Sequence, residues 1–144
     1  MKILVVNGPN LNLLGTREPA IYGCETLDKI NSELKEFAKK LSPEIELTFF
    51  QSNIEGEIID KIQSCMDFDG LIINPAAYTH TSIAIADCIK GLEIKAVEVH
   101  LSNVNNREEF RKKSFIAPVC KGSVIGFGKD GYKMALLGLF LENE

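Results

Sequence analysis

The sequence predicts a single α/β domain spanning residues 1–144, built on a five-stranded parallel sheet in the order 2-1-3-4-5 with helices on both faces. Three observations carry this expectation. Five short runs rich in β-branched or aromatic residues recur along the chain, segments of helical periodicity separate them, and no linker, repeat or low-complexity stretch breaks the alternation. Strands that alternate with helices pair in parallel, because right-handed crossovers return each helix over a face of the sheet.

KILVVN (2–7) is the first strand, a continuous apolar run suited to a sheet covered on both faces. TLDKINSELKEFAKKL (26–41) is helical, with Leu27, Ile30, Leu34, Phe37, Ala38 and Leu41 spaced by three and four on one face. IELTFFQ (45–51) is the second strand, and EGEIIDKIQSCM (55–66) repeats the helical spacing through Ile58, Ile59, Ile62 and Met66. GLIIN (70–74) follows as a third strand, then the shorter helix TSIAIADCIKG (81–91), with Gly91 as its C-terminal stop. IKAVEVH (94–100) is the fourth strand. NREEFRKK (106–113) is expected to be a helix, with Asn106 and Glu109 as a cap-like start. SVIGFG (123–128) and DGYKMALLGLFLEN (130–143) supply the last strand and the closing helix.

At 144 residues, 45% hydrophobic and 25% charged, the chain can bury a substantial core. Its net charge is -4, with Lys and Arg scattered among acids, so no basic stripe offers itself to nucleic acid. No apolar run approaches the roughly 20 residues that span a bilayer. MKILVVNGPN enters a strand without a signal-peptide pattern, so a cytoplasmic location and no membrane partner are expected. Cys24, Cys65, Cys88 and Cys120 lie far apart with no C-x-x-C pair and read as reduced, mostly structural thiols.

Ligands of such sheets bind beyond the carboxyl ends of the strands, near the point where strand order reverses. Polar residues gather at those ends: Asn7 with NGPNLNLLGTREPAIYG, Asn74 with PAAYTHTS, and Glu98, His100, Ser102 and Asn103. Both histidines, His80 and His100, are among them. Asn7 and Asn12 read as turn formers around Gly8 and Pro9, and Phe49, Phe50 and Phe127 as core. The loop after the first strand is neither G-x-G-x-x-G nor G-x-x-x-x-G-K-[ST], so dinucleotides and nucleoside triphosphates lack their usual cradle. Two His without nearby Cys or carboxylate at ligand spacing, and dispersed acids, lead to an expectation of no metal. A phosphate-accepting receiver needs an acid pair after the first strand and an Asp after the third, where this chain has Asn7 and Asn74. What remains is proton transfer by His, Tyr and Glu, with Asn and Arg as stabilisers.

The blocks NGPNLNLLGTREPAIYG, NPAAYTHTSIAIADC, EVHLSNVNNREEFR and GFGKDGY resemble, in order and over nearly the whole chain, those of the type II 3-dehydroquinate dehydratases. The resemblance implies a flavodoxin-like fold and a cofactor-free anti elimination of water from 3-dehydroquinate through an enolate, in the shikimate pathway. It implies Tyr22 as the base at C2, Arg17 as its activator, His100 as proton donor to the leaving hydroxyl with Glu98 as its supporter, and Asn10 as holder of a water at the enolate. Asn74, His80, the main chain at Leu101 and Ser102, and Arg111 match substrate binders. Asp87 matches an acid supplied to a neighbouring subunit in a dodecamer built from trimers, although Ala86 beside it departs from an arginine of the pattern. Arg107 keeps no assigned role. The pairing of Arg17 with Tyr22 in one loop has a physical sense: a phenol of ordinary pKa costs about 4 kcal/mol to ionise at neutral pH, and a nearby guanidinium lowers that cost. A loop between Gly15 and Gly23 is also expected to close over substrate.

Overall fold

The computed structural model describes residues 1–16, 19–22 and 25–143, with Pro19 and Tyr22 placed by their backbone alone. Strands β1 (Lys2–Asn7), β2 (Glu46–Gln51), β3 (Gly70–Asn74), β4 (Ala96–His100) and β5 (Gly122–Ile125) pair in parallel in the order 2-1-3-4-5, as the sequence predicts. The helices are α1 (Pro19–Tyr22), α2 (Leu27–Leu41), α3 (Glu55–Gln63), α4 (Ile83–Leu92) and α5 (Asp130–Asn143).

Strand alternation divides the core in two. Ile3, Val5 and Ile72 pack with Ile30 and Leu34 of α2 and with Leu136 and Leu139 of α5. Leu4, Val6 and Ile73 point the other way, onto Ile58 and Ile62 of α3 and Ile85 and Ile89 of α4. Burying one such side chain contributes about 1.5–3 kcal/mol, so each strand residue secures its own face of the sheet. At the start of α2 the Thr26 hydroxyl accepts from the Lys29 amide at 3.3 Å, while Asp28 in the first turn and Lys39 and Lys40 in the last complement the helix dipole. No described helix is long and apolar enough to cross a membrane.

Several elements differ from expectation. Residues 106–113 form no α-helix but parts of two 3-10 turns, Val104–Asn106 and Glu109–Lys112. The cap is Asn103, whose side chain accepts from the Asn105 amide at 3.1 Å, and not Asn106. No residue of Glu109–Lys112 is buried, so a helix there has no apolar face to offset its nucleation cost. The helix expected over 55–66 stops at Gln63, leaving Met66 75% exposed and outside the core. Gly91 lies within α4, and Glu93, at φ 54°, makes the left-handed stop instead. β5 ends at Ile125 because Gly126 (φ 88°) turns the chain past Asn103, which a Cβ there would meet at 3.2 Å. Phe127 is thereby turned outward at 60% exposure and is not core, whereas Phe49 and Phe50 pack half-buried on opposite faces.

The loops after β1 and β3 touch through backbone. The Gly8 amide donates to the Asn74 carbonyl at 2.8 Å, and a Cβ on Gly8 would fall 2.5 Å from the Pro75 carbonyl oxygen. Gly8→Ala is therefore expected to destabilise the fold by about 1–3 kcal/mol in chemical denaturation, since two backbones must separate. Gly56→Ala in α3, where nothing lies within 4 Å of the added carbon, should stabilise by about 0.4–1 kcal/mol. Equal effects of the two substitutions would contradict the close approach.

Candidate active site

The carboxyl ends of β1, β3 and β4 open into one cleft. Asn10, Asn74, His80, His100, Leu101, Ser102 and Arg111 all line it, and so does Arg107. Glu98 does not; at 1% exposure it lies behind His100. Asp87 is exposed on α4, outside this cleft. Arg17 lies outside the described residues. Tyr22 ends α1, and its side chain, like the closing motion expected of the 15–23 loop, lies outside what is described.

The first loop is set by Asn10, which takes the left-handed conformation (φ 67°) that asparagine tolerates. Its amide donates to Asn53 Oδ1 at 2.9 Å, an oxygen that also accepts from Gln51 Nε2 at 3.1 Å. The Tyr78 hydroxyl donates to the Asn53 carbonyl at 2.7 Å, so Asn53 ties the first loop to the third. Asn12 is exposed within the 3-10 turn Leu11–Leu13. Asn7 is not a turn former: it is wholly buried at the end of β1, and its Oδ1 accepts from the Tyr132 hydroxyl at 2.5 Å.

Behind the cleft sits a buried acid surrounded by donors. Glu98 Oε1 accepts from His100 Nε2 at 3.0 Å, from the Ser114 hydroxyl at 2.9 Å and from the Thr79 hydroxyl. Oε2 accepts from the Ser123 hydroxyl at 3.0 Å. Ser114 also accepts from the amides of Ile116 and Ala117 at 3.0 and 2.9 Å, which leaves its single hydrogen for the carboxylate. Burial pushes the Glu98 pKa up, but hydrogen bonds from His100, Thr79 and Ser114 and the attraction of His100 outweigh it, and the carboxyl is held below its ordinary 4.5. Sequence reasoning missed the three hydroxyls. Ser123 had a signal, since aligning β4 with β5 places it opposite Glu98; Thr79 and Ser114 had none.

His100 thus has Nε2 fixed on a carboxylate, and Nδ1 is the ring nitrogen left for the cleft it lines. His80 Nδ1 meets the Lys113 carbonyl at 2.7 Å. A carbonyl only accepts, so that nitrogen carries hydrogen and Nε2 is the acceptor of the neutral ring. Phe110 holds the His80 ring edge-on at 6.4 Å between centroids. Arg111 Nε donates to Glu108 Oε2 at 2.8 Å, and Arg107 Nη1 donates to the Ser102 hydroxyl at 3.4 Å. Among the described residues the lining holds two guanidiniums and two imidazoles and no carboxylate, in a chain of net charge -4. Such a cleft suits a small anion bearing hydroxyls. Among the described cysteines Cys65, Cys88 and Cys120 are free, and burial beside Glu98 pushes the Cys120 thiol up to about 12, leaving it protonated.

The family model described as Dehydroquinase class II matches residues 1–140. The 3-dehydroquinate dehydratase of Geotalea daltonii is 59% identical over 141 residues, covering 97% of this chain and 96% of its own. That of Sulfurimonas denitrificans is 57% identical over 140 residues, covering 96% and 86%. The crystal structure of the type II dehydroquinase from Butyrivibrio crossotus superposes with a TM-score of 0.94 at 52% identity, covering 97% of both chains.

The hydroxyl shell makes a pH-dependent prediction. A carboxyl whose folded pKa is lowered contributes stability above its unfolded pKa and loses it as pH falls through the folded value. Glu98→Gln should therefore cost stability at neutral pH, and the difference from wild type should shrink as pH drops below the ordinary 4.5. Denaturation curves between neutral and strongly acid pH read this directly. A difference that stays constant over that range would mean that Glu98 is not held as an ion.

Proposed function

This chain belongs to the class II dehydroquinase family, and on that premise we propose that it eliminates water from 3-dehydroquinate to give 3-dehydroshikimate. It is an enzyme, a hydro-lyase. The proposed course is an anti elimination through an enolate, with no cofactor, in the shikimate pathway that leads to aromatic amino acids. The observation that supports it is the cleft itself: Asn10, Asn74, His80, Ser102 and Arg111 share its lining with His100, and buried Glu98 backs that histidine.

Elimination needs a base at the carbon that loses a proton and an acid at the departing hydroxyl. His100 is the proposed acid. Once it gives up the Nδ1 proton it is left as the neutral tautomer with hydrogen on Nε2, the form that the Glu98 carboxylate accepts from. Tyr22 is the proposed base and Arg17 its activator. Asn10 is assigned to a water that stabilises the enolate oxygen. Asn74, His80, the main chain at Leu101 and Ser102, and Arg111 hold the carboxylate and hydroxyls of the substrate. Asp87, exposed and outside its own cleft, is assigned to a neighbouring subunit's site within a dodecamer of trimers.

The direct test is ultraviolet detection of the conjugated enone formed from 3-dehydroquinate, and a folded protein that gives no such signal sinks the reading. The pairing of base and activator has its own test. Arg17→Ala and Tyr22→Phe should each lower kcat by orders of magnitude with a much smaller change in KM. The double variant should be little worse than either single one, because both residues serve one step. Losses that multiply would separate Arg17 from Tyr22.

A further inference from the structure

Asn74 lines the cleft, yet it is only 2% exposed, so what fixes its amide lies inside the protein. Its Oδ1 accepts from the Ala76 amide at 3.2 Å, and its Nδ2 donates to the hydroxyl oxygen of Tyr132 at 3.0 Å. The Tyr132 hydroxyl in turn donates to Asn7 Oδ1 at 2.5 Å. One backbone group decides the direction of this chain. The Ala76 N–H can only donate, so the Asn74 oxygen must face it and the nitrogen must face Tyr132. The phenol oxygen then accepts, and its single hydrogen must go to Asn7. Asn7 Nδ2 is left as a buried donor without a partner among the described residues, so this alignment is kept even though one group goes unsatisfied. Burial drives the Tyr132 pKa far above the ordinary tyrosine value, so the phenol stays protonated and keeps its hydrogen for Asn7.

We propose that Tyr132, a core residue of α5, is a positioning residue for substrate binding: its phenol fixes the Asn74 amide so that the nitrogen's second N–H serves the cleft. Ala76, at φ 51°, holds the other end of that amide from a left-handed backbone seldom adopted by alanine, so the side chain is gripped from both sides. Asn74 is thereby a donor suited to a substrate oxygen. Neither Tyr132 nor Asn7 lines the cleft, so both act through Asn74 alone.

This inference rests on the reading of the cleft as the 3-dehydroquinate site, and its test keeps the two apart. The measurement is kcat and KM for 3-dehydroquinate in wild type, Tyr132→Phe, Asn74→Ala and the double variant. Tyr132→Phe keeps the ring and should raise KM about five- to tenfold, the worth of one neutral hydrogen bond, with kcat within about threefold. In the Asn74→Ala background the same change should alter KM by no more than about twofold. An unchanged KM in the single variant, or the same factor in both backgrounds, overturns the positioning role while leaving the enzyme reading intact. If Tyr132→Phe is not recovered folded, Asn7→Ala removes the acceptor that orients the phenol and should show the same rise in KM, absent in the Asn74→Ala background; additive effects overturn the proposal equally. A folded wild type that does not turn over 3-dehydroquinate overturns the functional reading and this inference with it.

Discussion

Polar side chains buried at the ends of three adjacent central strands impose the constraint on which the rest of the site depends. Asn7, Asn74, Glu98 and His100 are each no more than 6% exposed, and such groups are tolerated only when hydrogen-bonded, at a cost of about 1–3 kcal/mol for each one left unpaired. Parallel register supplies the neighbours. Asn7 stands beside Asn74, and Glu98 stands beside Ile73 on one side and Ser123 on the other. The remaining partners come from outside the sheet: Tyr132 from α5, Thr79 from the turn after β3, and Ser114 from the segment before β5. One end of an apolar sheet becomes a polar platform, and the cleft opens above it.

The fold was legible because strands covered on both faces write themselves as apolar runs, and because α2 and α3 show their buried stripes at regular spacing. Segment 106–113 was misread because cap-like residues carry the sign of a helix start but say nothing about whether a buried face follows. Phe127 was misread for the converse reason: side-chain chemistry marks it for the core, while the backbone freedom of Gly126 and Gly128 places it outside. At the site, the two histidines and Asn74 stood out by their position at strand ends, whereas Asn7, read as a turn former, is buried behind the cleft. Tyr132 was hidden, since within an apolar helix a tyrosine reads as packing, and the sequence does not reveal that its hydroxyl meets residues 58 and 125 positions away.

The same helix, α5, therefore serves two layers of organisation. Leu136 and Leu139 fill the core beneath β1 and β3, while Tyr132 extends that packing into the polar layer. A helix seated by apolar burial gives rigid support to a hydrogen-bond chain, because displacing the phenol means displacing close-packed side chains as well.

The edge strand has a consequence of another kind. β5 is four residues long, and its first two are exposed, yet Ser123 reaches inward to the acid behind His100. Short outer strands open locally at a fraction of the free energy of global unfolding. Each fraying of β5 withdraws one donor from Glu98 while the remaining strands stay paired. Warming should accordingly disturb the electrostatics around His100 before it melts the sheet, and loss of turnover on heating would then report the peeling of an edge and not the collapse of the domain.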